Sequence, residues 1–128
     1  MVINMDGSKP IYLQISEWLE TEILTGELNT DDKVYSQYQL AEMFNINPAT
    51  AAKGLNILAD ENILYKKRGL GMFVSNGAEM IIREKRKNHT LRMLIQDVVL
   101  EANSLNIRKE ELLELIEIEF ADKGGGIK

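Results

Sequence analysis

Two short stretches of the sequence contain side chains that could recognise another molecule. Between residues 36 and 58, small polar residues and a single cation are interspersed with apolar ones, and Lys66, Lys67 and Arg68 form a basic run. Small polar and basic side chains can hydrogen-bond to the edges of nucleic-acid bases, and cations can pair with phosphates. Catalytic chemistry is not indicated, because one histidine and no cysteine provide no Ser/His/Asp, Cys/His or metal-ligand set.

The stretch from Val34 to Leu58 predicts two short helices joined by a tight turn. Ser36 can cap the first helix, and Gln39 three residues later completes a capping box. Asn47 is a good N-cap for the second helix, and Pro48 suits its first position, where a missing N–H costs nothing. Both helix starts are therefore encoded locally.

The second helix has an apolar side and a small polar side. Apolar residues recur at positions i, i+4 and i+7, which are Ala51, Leu55 and Leu58. The opposite side then presents Ala49, Lys53 and Asn56, with Thr50 on its flank. A small polar face with one cation fits a DNA groove, and two helices with this turn are typical of a helix-turn-helix.

Residues 62–75 change to a strand-like pattern. Two β-prone runs flank the tip Gly69-Leu70-Gly71, which predicts a hairpin: residues 63–65 lead into the basic run 66–68 before the tip, and residues 72–74 follow it. A glycine-containing hairpin alone would be an ordinary surface feature. Its place directly after a helix-turn-helix favours a wing whose basic arm and tip contact a phosphate backbone or minor groove.

Amphipathic helices are predicted on both sides of this region. One covers residues 10–25, and two more cover residues 78–104 and 108–121. The turn at 75–77 is the predicted boundary between domains 1–76 and 77–128, and the glycine-rich tail 123–128 is expected to fray. The expected fold class is mainly α with a small β-hairpin, a winged helix-turn-helix followed by a two-helix unit.

The two C-terminal helices have a wide apolar face that nothing else in the chain is expected to cover. This face predicts a two-fold homodimer. The residues expected to form it are Leu91, Leu94, Ile95, Val98, Leu112, Ile116 and Phe120. The basic run Arg83, Lys85, Arg86 and Lys87 precedes this face and is interpreted as a solvated helix surface rather than a DNA contact.

The charge balance argues at first against a nucleic-acid partner. The chain has 15 Lys and Arg against 20 Asp and Glu, a formal net charge of −5. However, residues 36–58 hold only Glu42 and Lys53, and most of the N-terminal acids lie on or just after the first helix. We therefore expect a polarised domain with few phosphate contacts and weak non-specific DNA binding.

The N-terminus lacks the pattern of a signal peptide, and no apolar run approaches the roughly 18 residues of a membrane span. We therefore expect a cytoplasmic protein with no membrane partner. The sequence does not indicate a cofactor or a metal.

These separated motifs together resemble the GntR family of bacterial winged-helix repressors. The resemblance covers residues 10–74, and the short two-helix C-terminus is similar to the YtrA subfamily of dimeric regulators, often of ABC-transporter operons. The motifs that carry it are Pro10-Ile11-Tyr12-x-Gln14-Ile15, Gly26-x-Leu28, Ser36-x-x-x-Leu40-Ala41, Asn47-Pro48-x-Thr50-x-x-Lys53, Leu58 and Gly69-x-Gly71-x-Phe73-Val74.

The resemblance implies DNA contacts from the first helix of the motif, from Thr50 and Lys53 of the second, and from the glycine wing. Two positions depart from the family pattern. Tyr38 stands where the family has an arginine that commonly reads guanine, and a tyrosine cannot make that bidentate contact. Gly54 stands at a position that is usually another small residue, at a cost of about 1 kcal/mol of helix stability.

The favoured hypothesis is a dimeric transcriptional repressor that binds double-stranded DNA. The alternative is a winged-helix module that has lost DNA binding and binds a protein, and a small-molecule effector remains an open question. The expected DNA-binding residues are Ser36, Gln37, Tyr38, Asn47, Thr50, Lys53, Lys67, Arg68, Gly69 and Gly71.

Overall fold

The computed structural model describes residues 3–124 and divides the chain into two compact units, one up to Lys85 and one from Arg86. The first unit is built from α1 (Ile11–Leu24), α2 (Gln37–Phe44), α3 (Pro48–Asp60), β1 (Leu64–Lys67), β2 (Gly71–Val74) and most of α4 (Ala78–Arg86). The second consists of a π-helical segment (Lys87–Leu91), α5 (Arg92–Ser104), α6 (Lys109–Glu119) and a second π-helical segment (Phe120–Gly124). The fold is mainly helical with one hairpin, as predicted.

Both helices of the predicted helix-turn-helix begin at the predicted caps. The Ser36 hydroxyl oxygen accepts the Gln39 amide N–H at 3.1 Å, and the Ser36 N–H donates to the Gln39 side-chain oxygen at 2.8 Å. Asn47 caps α3 by accepting the Ala49 N–H at 2.8 Å. The turn between the helices passes through Asn45 in the left-handed region, with φ 55°. The capping box and the proline start are thus confirmed.

The wing is an antiparallel hairpin with a third stretch of backbone beside it. The register pairs Leu64 with Val74 and Lys66 with Met72. On the other edge of β2, the Val34 N–H donates to the Met72 carbonyl at 2.8 Å, and Lys33 forms a bridge with Phe73. The hairpin is therefore held to the body through the segment that leads into α2.

The core of the first unit lies between α1, α2, α3 and the hairpin. Its side chains are almost completely buried because apolar residues from every element converge there; they include Ile15, Leu19, Leu40, Ala51, Leu58, Ile63, Leu64 and Val74. Trp18 packs at the edge of this core, with ring-centroid distances of 5.7 Å to Tyr35 and 5.0 Å to Phe44. Its helical spacing therefore reflects packing against the core.

The division between the units lies beyond the expected boundary at 76/77. Ala78 and Ile82, in the first half of α4, are 2% and 0% exposed and belong to the core of the first unit. The turn at Ser75-Asn76-Gly77 therefore begins a helix that packs back onto the same unit, and the second unit starts at Arg86.

Lys85 makes a partly buried ion-pair network with residues of α1 and α3. Its ammonium donates to Glu20 of α1 at 2.6 Å and to Glu61, the C-cap of α3, at 2.7 Å. The Glu20 side chain is only 1% exposed. The interpretation of Lys85 as part of a solvated face is therefore wrong, because its partners are separated from it in sequence and could not be seen from helical spacing.

The same network sets the charge state of Lys85. Burial by itself would lower its pKa, but the hydrogen bonds and charges of Glu20 and Glu61 outweigh burial and raise the pKa above 10.5. The stabilisation from this lysine is therefore present at neutral pH and is lost only as the pH rises above 10.5.

The second unit contains α5 and α6, joined by a short turn. Helicity continues from α4 through the π-helical segment Lys87–Leu91 into α5. The connection to α6 passes through Asn106 with φ 57°. The predicted frayed tail overlaps a π-helical segment up to Gly124, and the rest of it lies outside the described residues. Within the described residues, none of the helices has the length and apolarity needed to cross a bilayer.

Gly54 allows α3 to pack directly against α1. A Cβ atom at this position would lie 2.8 Å from the Tyr12 carbonyl oxygen and 3.2 Å from a methyl of Ile15. Next to this contact, the buried Ser16 hydroxyl donates to the Gly54 carbonyl oxygen at 2.8 Å. The glycine is therefore required by the close approach of two backbones, whatever it costs in helix propensity.

We predict that Gly54→Ala destabilises the protein although alanine is the better helix former. Propensity alone would add about 1 kcal/mol to the free energy of unfolding, but overpacking against a backbone oxygen costs about 1–3 kcal/mol. Urea unfolding followed by circular dichroism, at equal protein concentrations, gives the net value. Ala59→Gly, on the same helix, is the control and should lose about 1 kcal/mol by propensity. A more stable Gly54→Ala variant would contradict the packing argument.

A second prediction concerns the buried ion pair. Lys85→Met leaves the Glu20 carboxylate buried without this cation and should lower the free energy of unfolding by about 3 kcal/mol. The matched control is Arg83→Met, which removes an exposed pair with Glu79 on the same helix, its side chains being 65% and 54% exposed. That change should cost less than about 0.5 kcal/mol. Equal losses of unfolding free energy in the two variants would contradict the argument that the buried Glu20 carboxylate makes the Lys85 pair more important for stability.

Candidate nucleic-acid interface

Three elements of the first unit enclose an open groove of about 410 Å³. The start of α2, one side of α3 and the inner side of the wing form its walls. The lining residues are Ser36, Gln37 and Tyr38 from α2 and its cap, Ala52, Leu55 and Asn56 from α3, and Lys66, Lys67, Gly69, Gly71 and Met72 from the wing. Both charged residues in this lining are lysines, so the groove favours a negatively charged partner.

The start of α2 contributes three polar side chains, of which one already forms the helix cap and two do not. Ser36 is the N-cap, so its hydroxyl oxygen already accepts the Gln39 N–H. Gln37 is half-buried at the groove, whereas Tyr38 is 70% exposed and projects from the helix. Ser36 therefore positions the helix, while Gln37 and Tyr38 are free to meet a ligand.

The outward face of α3 is the one that the periodicity predicts. Ala49, Lys53 and Asn56 are exposed, and Thr50 is half-buried. The Lys53 ammonium lies 4.0 Å from the centre of the Tyr12 ring, a cation–π contact with α1. Of this face, Asn56 borders the groove, and Lys53 lies outside the groove lining.

Strand alternation separates the two lysines of β1. Lys66 pairs with Met72 on the side of the hairpin that also carries the buried Leu64, and this side faces the groove. Lys67 also borders the groove, but its ammonium lies 4.7 Å from the centre of the Phe73 ring on the other side of the hairpin. Strand alternation therefore places Lys66 on the groove side of the hairpin, while the ammonium of Lys67 lies over the Phe73 ring.

The glycines at the tip have the backbone conformation that only glycine adopts readily. Gly69 and Gly71 have φ values of 78° and 113°. A Cβ at Gly71 would also approach the Lys33 side chain to 3.2 Å. Both residues shape the tip, and Arg68 is an exposed cation beside them that does not line the groove.

Tyr65 fastens the outer side of the wing to the loop after α1. Its hydroxyl donates to the Asp31 carboxylate at 2.7 Å. This hydrogen bond, then desolvation and the charge of Asp31, raise the pKa of Tyr65 above 10.0, so the phenol stays protonated as a donor at neutral pH.

The structure thus gathers part of the predicted set into one groove. Of the ten predicted residues, it brings together Ser36, Gln37, Tyr38, Lys67, Gly69 and Gly71. Asn47, Thr50, Lys53 and Arg68 lie outside its lining. Asn56 and Lys66 also line the groove but are not among the ten expected residues, although the sequence places Asn56 on the outward face of α3 and Lys66 in the basic arm of the wing.

The predicted dimerisation residues surround an apolar cavity of about 630 Å³ in the second unit. Its lining includes Leu91, Leu94, Ile95 and Val98 next to Leu112 and Ile116. Several of these side chains are half exposed, for example Leu94 at 56% and Ile95 at 53%. Phe120 is 70% exposed and lies outside the lining, in the π-helical segment that follows α6.

Within residues 3–124, no group of three or more histidine, aspartate or glutamate side chains could hold a metal ion.

Residues 11–74 match the family described as bacterial regulatory proteins, gntR family. The chain is 43% identical over 75 residues to the transcriptional repressor NagR of Bacillus subtilis, covering 59% of this chain and 31% of NagR. It is 31% identical to the uncharacterised regulator YhcF of the same organism, over 87% of this chain and 90% of YhcF. It is 29% identical to the repressor YtrA of B. subtilis, over 98% and 96% of the two chains. The matched segment therefore spans about a third of NagR but nearly all of YhcF and YtrA.

Solved structures have the same fold. A GntR family transcriptional regulator from Listeria monocytogenes matches with a TM-score of 0.71 and 31% identity, over 88% of this chain and 97% of that one. The DNA-binding domain of AraR in complex with operator ORE1 matches 56% of this chain and 88% of its own length, with a TM-score of 0.52 and 26% identity.

Proposed function

Because the chain belongs to the gntR family of bacterial regulatory proteins, we propose that it is a repressor that binds its operator as a homodimer. Membership makes it a winged-helix transcriptional regulator and not an enzyme. The observation that carries the operator proposal is the groove in which the start of α2, the outer side of α3 and Lys66 of the wing converge.

The geometry of the groove supports insertion of α3 into the major groove of DNA. Apart from Lys53, whose ammonium lies over Tyr12, the outward face of α3 carries the short side chains of Ala49 and Asn56, so the helix backbone can approach the bases. The wing would then lie along the flanking backbone, where Lys66, Lys67 and Arg68 pair with phosphates. Ser36 and Asn47 act indirectly in this proposal, because they fix where the two helices begin.

In this proposal Lys53 contacts the phosphate backbone rather than a base. Its ammonium lies over Tyr12 at the start of α1, so it would meet the phosphate backbone on the α1 side of α3. Thr50, half-buried on the flank of α3, would accompany it.

Repression is supported by the names of similar proteins. NagR and YtrA of B. subtilis are both named as repressors, and YtrA matches nearly the whole chain. With the resemblance to the YtrA subfamily, this supports a transporter operon as the regulated target. A regulator of chromosomal genes would act in the cytoplasm.

A homodimer is supported by the second unit. Its α5–α6 hairpin presents an apolar cavity whose walls are half exposed in the single chain. The same face of a second copy would cover it by two-fold symmetry, giving a four-helix arrangement. Two first units would then contact half-sites on the order of 10 base pairs apart.

A protein-binding adaptor is the second candidate. The exposed Tyr38, in place of an arginine, and the net charge of −5 favour it. The two candidates differ in one observable, since the adaptor binds no genomic DNA fragment at moderate salt.

The operator proposal predicts a specific salt dependence. The full chain should retard a fragment selected from the genome of its source, and Lys66→Ala should bind that fragment more weakly. The slope of log K against log salt should fall by about 0.9 for each bound protomer, because one phosphate contact is lost. Fluorescence anisotropy titrations over a salt series measure both effects.

Lys87→Ala is the matched control, since it removes an exposed lysine of the second unit. Its slope should equal that of the unaltered protein. An unchanged slope for Lys66→Ala would remove the wing from the interface, and failure to retard any genomic fragment would favour the adaptor.

The dimer proposal predicts a monomer when the apolar face is charged. Val98→Glu places a carboxylate on the cavity wall and should shift the protein to monomer in sedimentation velocity, because a buried unpaired charge is costly. Leu100→Glu alters a neighbouring, 67% exposed leucine outside the cavity lining and should leave the mass unchanged. A monomeric unaltered protein, or a dimeric Val98→Glu variant, would contradict the proposal.

A further inference from the structure

A surface that reads guanine usually carries an arginine or lysine on its helices. In the part of the chain that the structure describes, the helices of this groove place no such cation in its lining. Guanine is read most often by an arginine or lysine that donates two hydrogen bonds to O6 and N7. The sequence of α2, QYQLAEMF, contains neither residue, and the single cation of α3, Lys53, lies over the Tyr12 ring. Within the described residues, the cations that line the groove are therefore both on the wing.

The polar side chains of the two helices divide into two groups. Ser36, Gln39 and Asn47 are engaged in the caps of α2 and α3. Gln37 and Asn56 take no part in these caps and line the groove, Gln37 from α2 and Asn56 from α3. The groove-lining polar groups that α2 and α3 leave to meet a base are therefore two amides and the Tyr38 hydroxyl, and none of them is a guanidinium group.

Amides and methyl groups match one kind of base pair. An asparagine or glutamine amide can donate to N7 and accept from N6 of adenine in a bidentate contact, and an alanine methyl packs against the 5-methyl group of thymine. Ala52 lies on the groove wall next to Asn56, and Ala49 is exposed on the same side of α3. The helix therefore presents an amide that suits adenine and a methyl group that suits thymine.

We propose that α3 reads A·T base pairs, with Asn56 bonding to an adenine and Ala52 contacting a thymine methyl group. Gln37 contacts a second adenine from the start of α2, and Tyr38, which has a single hydroxyl, cannot make the bidentate guanine contact. The inference rests on the proposed operator binding and specifies the base pairs that the groove takes.

The test begins with selection of bound duplexes from a random library by the full chain. The enriched duplex is then synthesised with one base altered at a time. Replacing thymidine by 2′-deoxyuridine deletes only the 5-methyl group, and replacing deoxyadenosine by its 7-deaza analogue deletes only the N7 acceptor. Each duplex is titrated against the unaltered chain, Asn56→Ala and the control Asn76→Ala, which alters an exposed asparagine outside the groove lining.

We expect enriched half-sites of A·T pairs and losses on the order of tenfold in affinity at one adenine and one thymine in each half-site. In Asn56→Ala the 7-deaza substitution at that adenine should have no further effect, because its partner is already gone. Asn76→Ala should keep the full loss.

Two results would overturn the inference and leave the proposed function intact. These are enriched half-sites of G·C pairs, or an A·T half-site whose affinity changes with neither analogue. Enrichment of no duplex would instead refute operator binding itself, so the two failures are distinguishable.

Discussion

The close packing of α3 on α1 is the constraint on which the rest of the first unit depends. At Gly54 the two helices approach so closely that even a methyl group would meet the Tyr12 carbonyl, and Ser16 reinforces the contact through a buried hydrogen bond. This contact determines how deep α3 sits and therefore which of its residues remain outside. The exposed face of Ala49, Lys53 and Asn56 follows from it.

The other elements extend this packed pair. Backbone hydrogen bonds from the segment before α2 hold the wing in place, so the hairpin and α2 are positioned through the same few residues. Lys85 joins α1, the end of α3 and α4 in one ion-pair network with Glu20 and Glu61. The groove is therefore a product of three elements that are each fastened to the α1–α3 pair.

The sequence predicted what is encoded over a few residues. The capping box, the proline start, the outward face of α3 and the glycine tip of the wing all depend on neighbours within one or two turns, and the structure has each of them. The Lys85–Glu20 pair joins residues 65 positions apart, so helical spacing could not suggest it. Gly54 could be described in advance only as a cost to helix stability, because the carbonyl that it faces belongs to another helix. The extent of the first unit was misplaced for the same reason, since the burial of Ile82 depends on tertiary packing.

The polar residues of α2 and α3 that stabilise the fold are different from those exposed at the groove, and this difference determines which substitutions the fold tolerates. Ser36, Gln39, Asn47 and Gly54 are committed to caps and close packing, so substitutions there reduce stability. Tyr38 and Asn56 are exposed and support neither the caps nor the core. If the chain binds an operator as proposed, substitutions at these positions would change its DNA contacts while the scaffold stays intact.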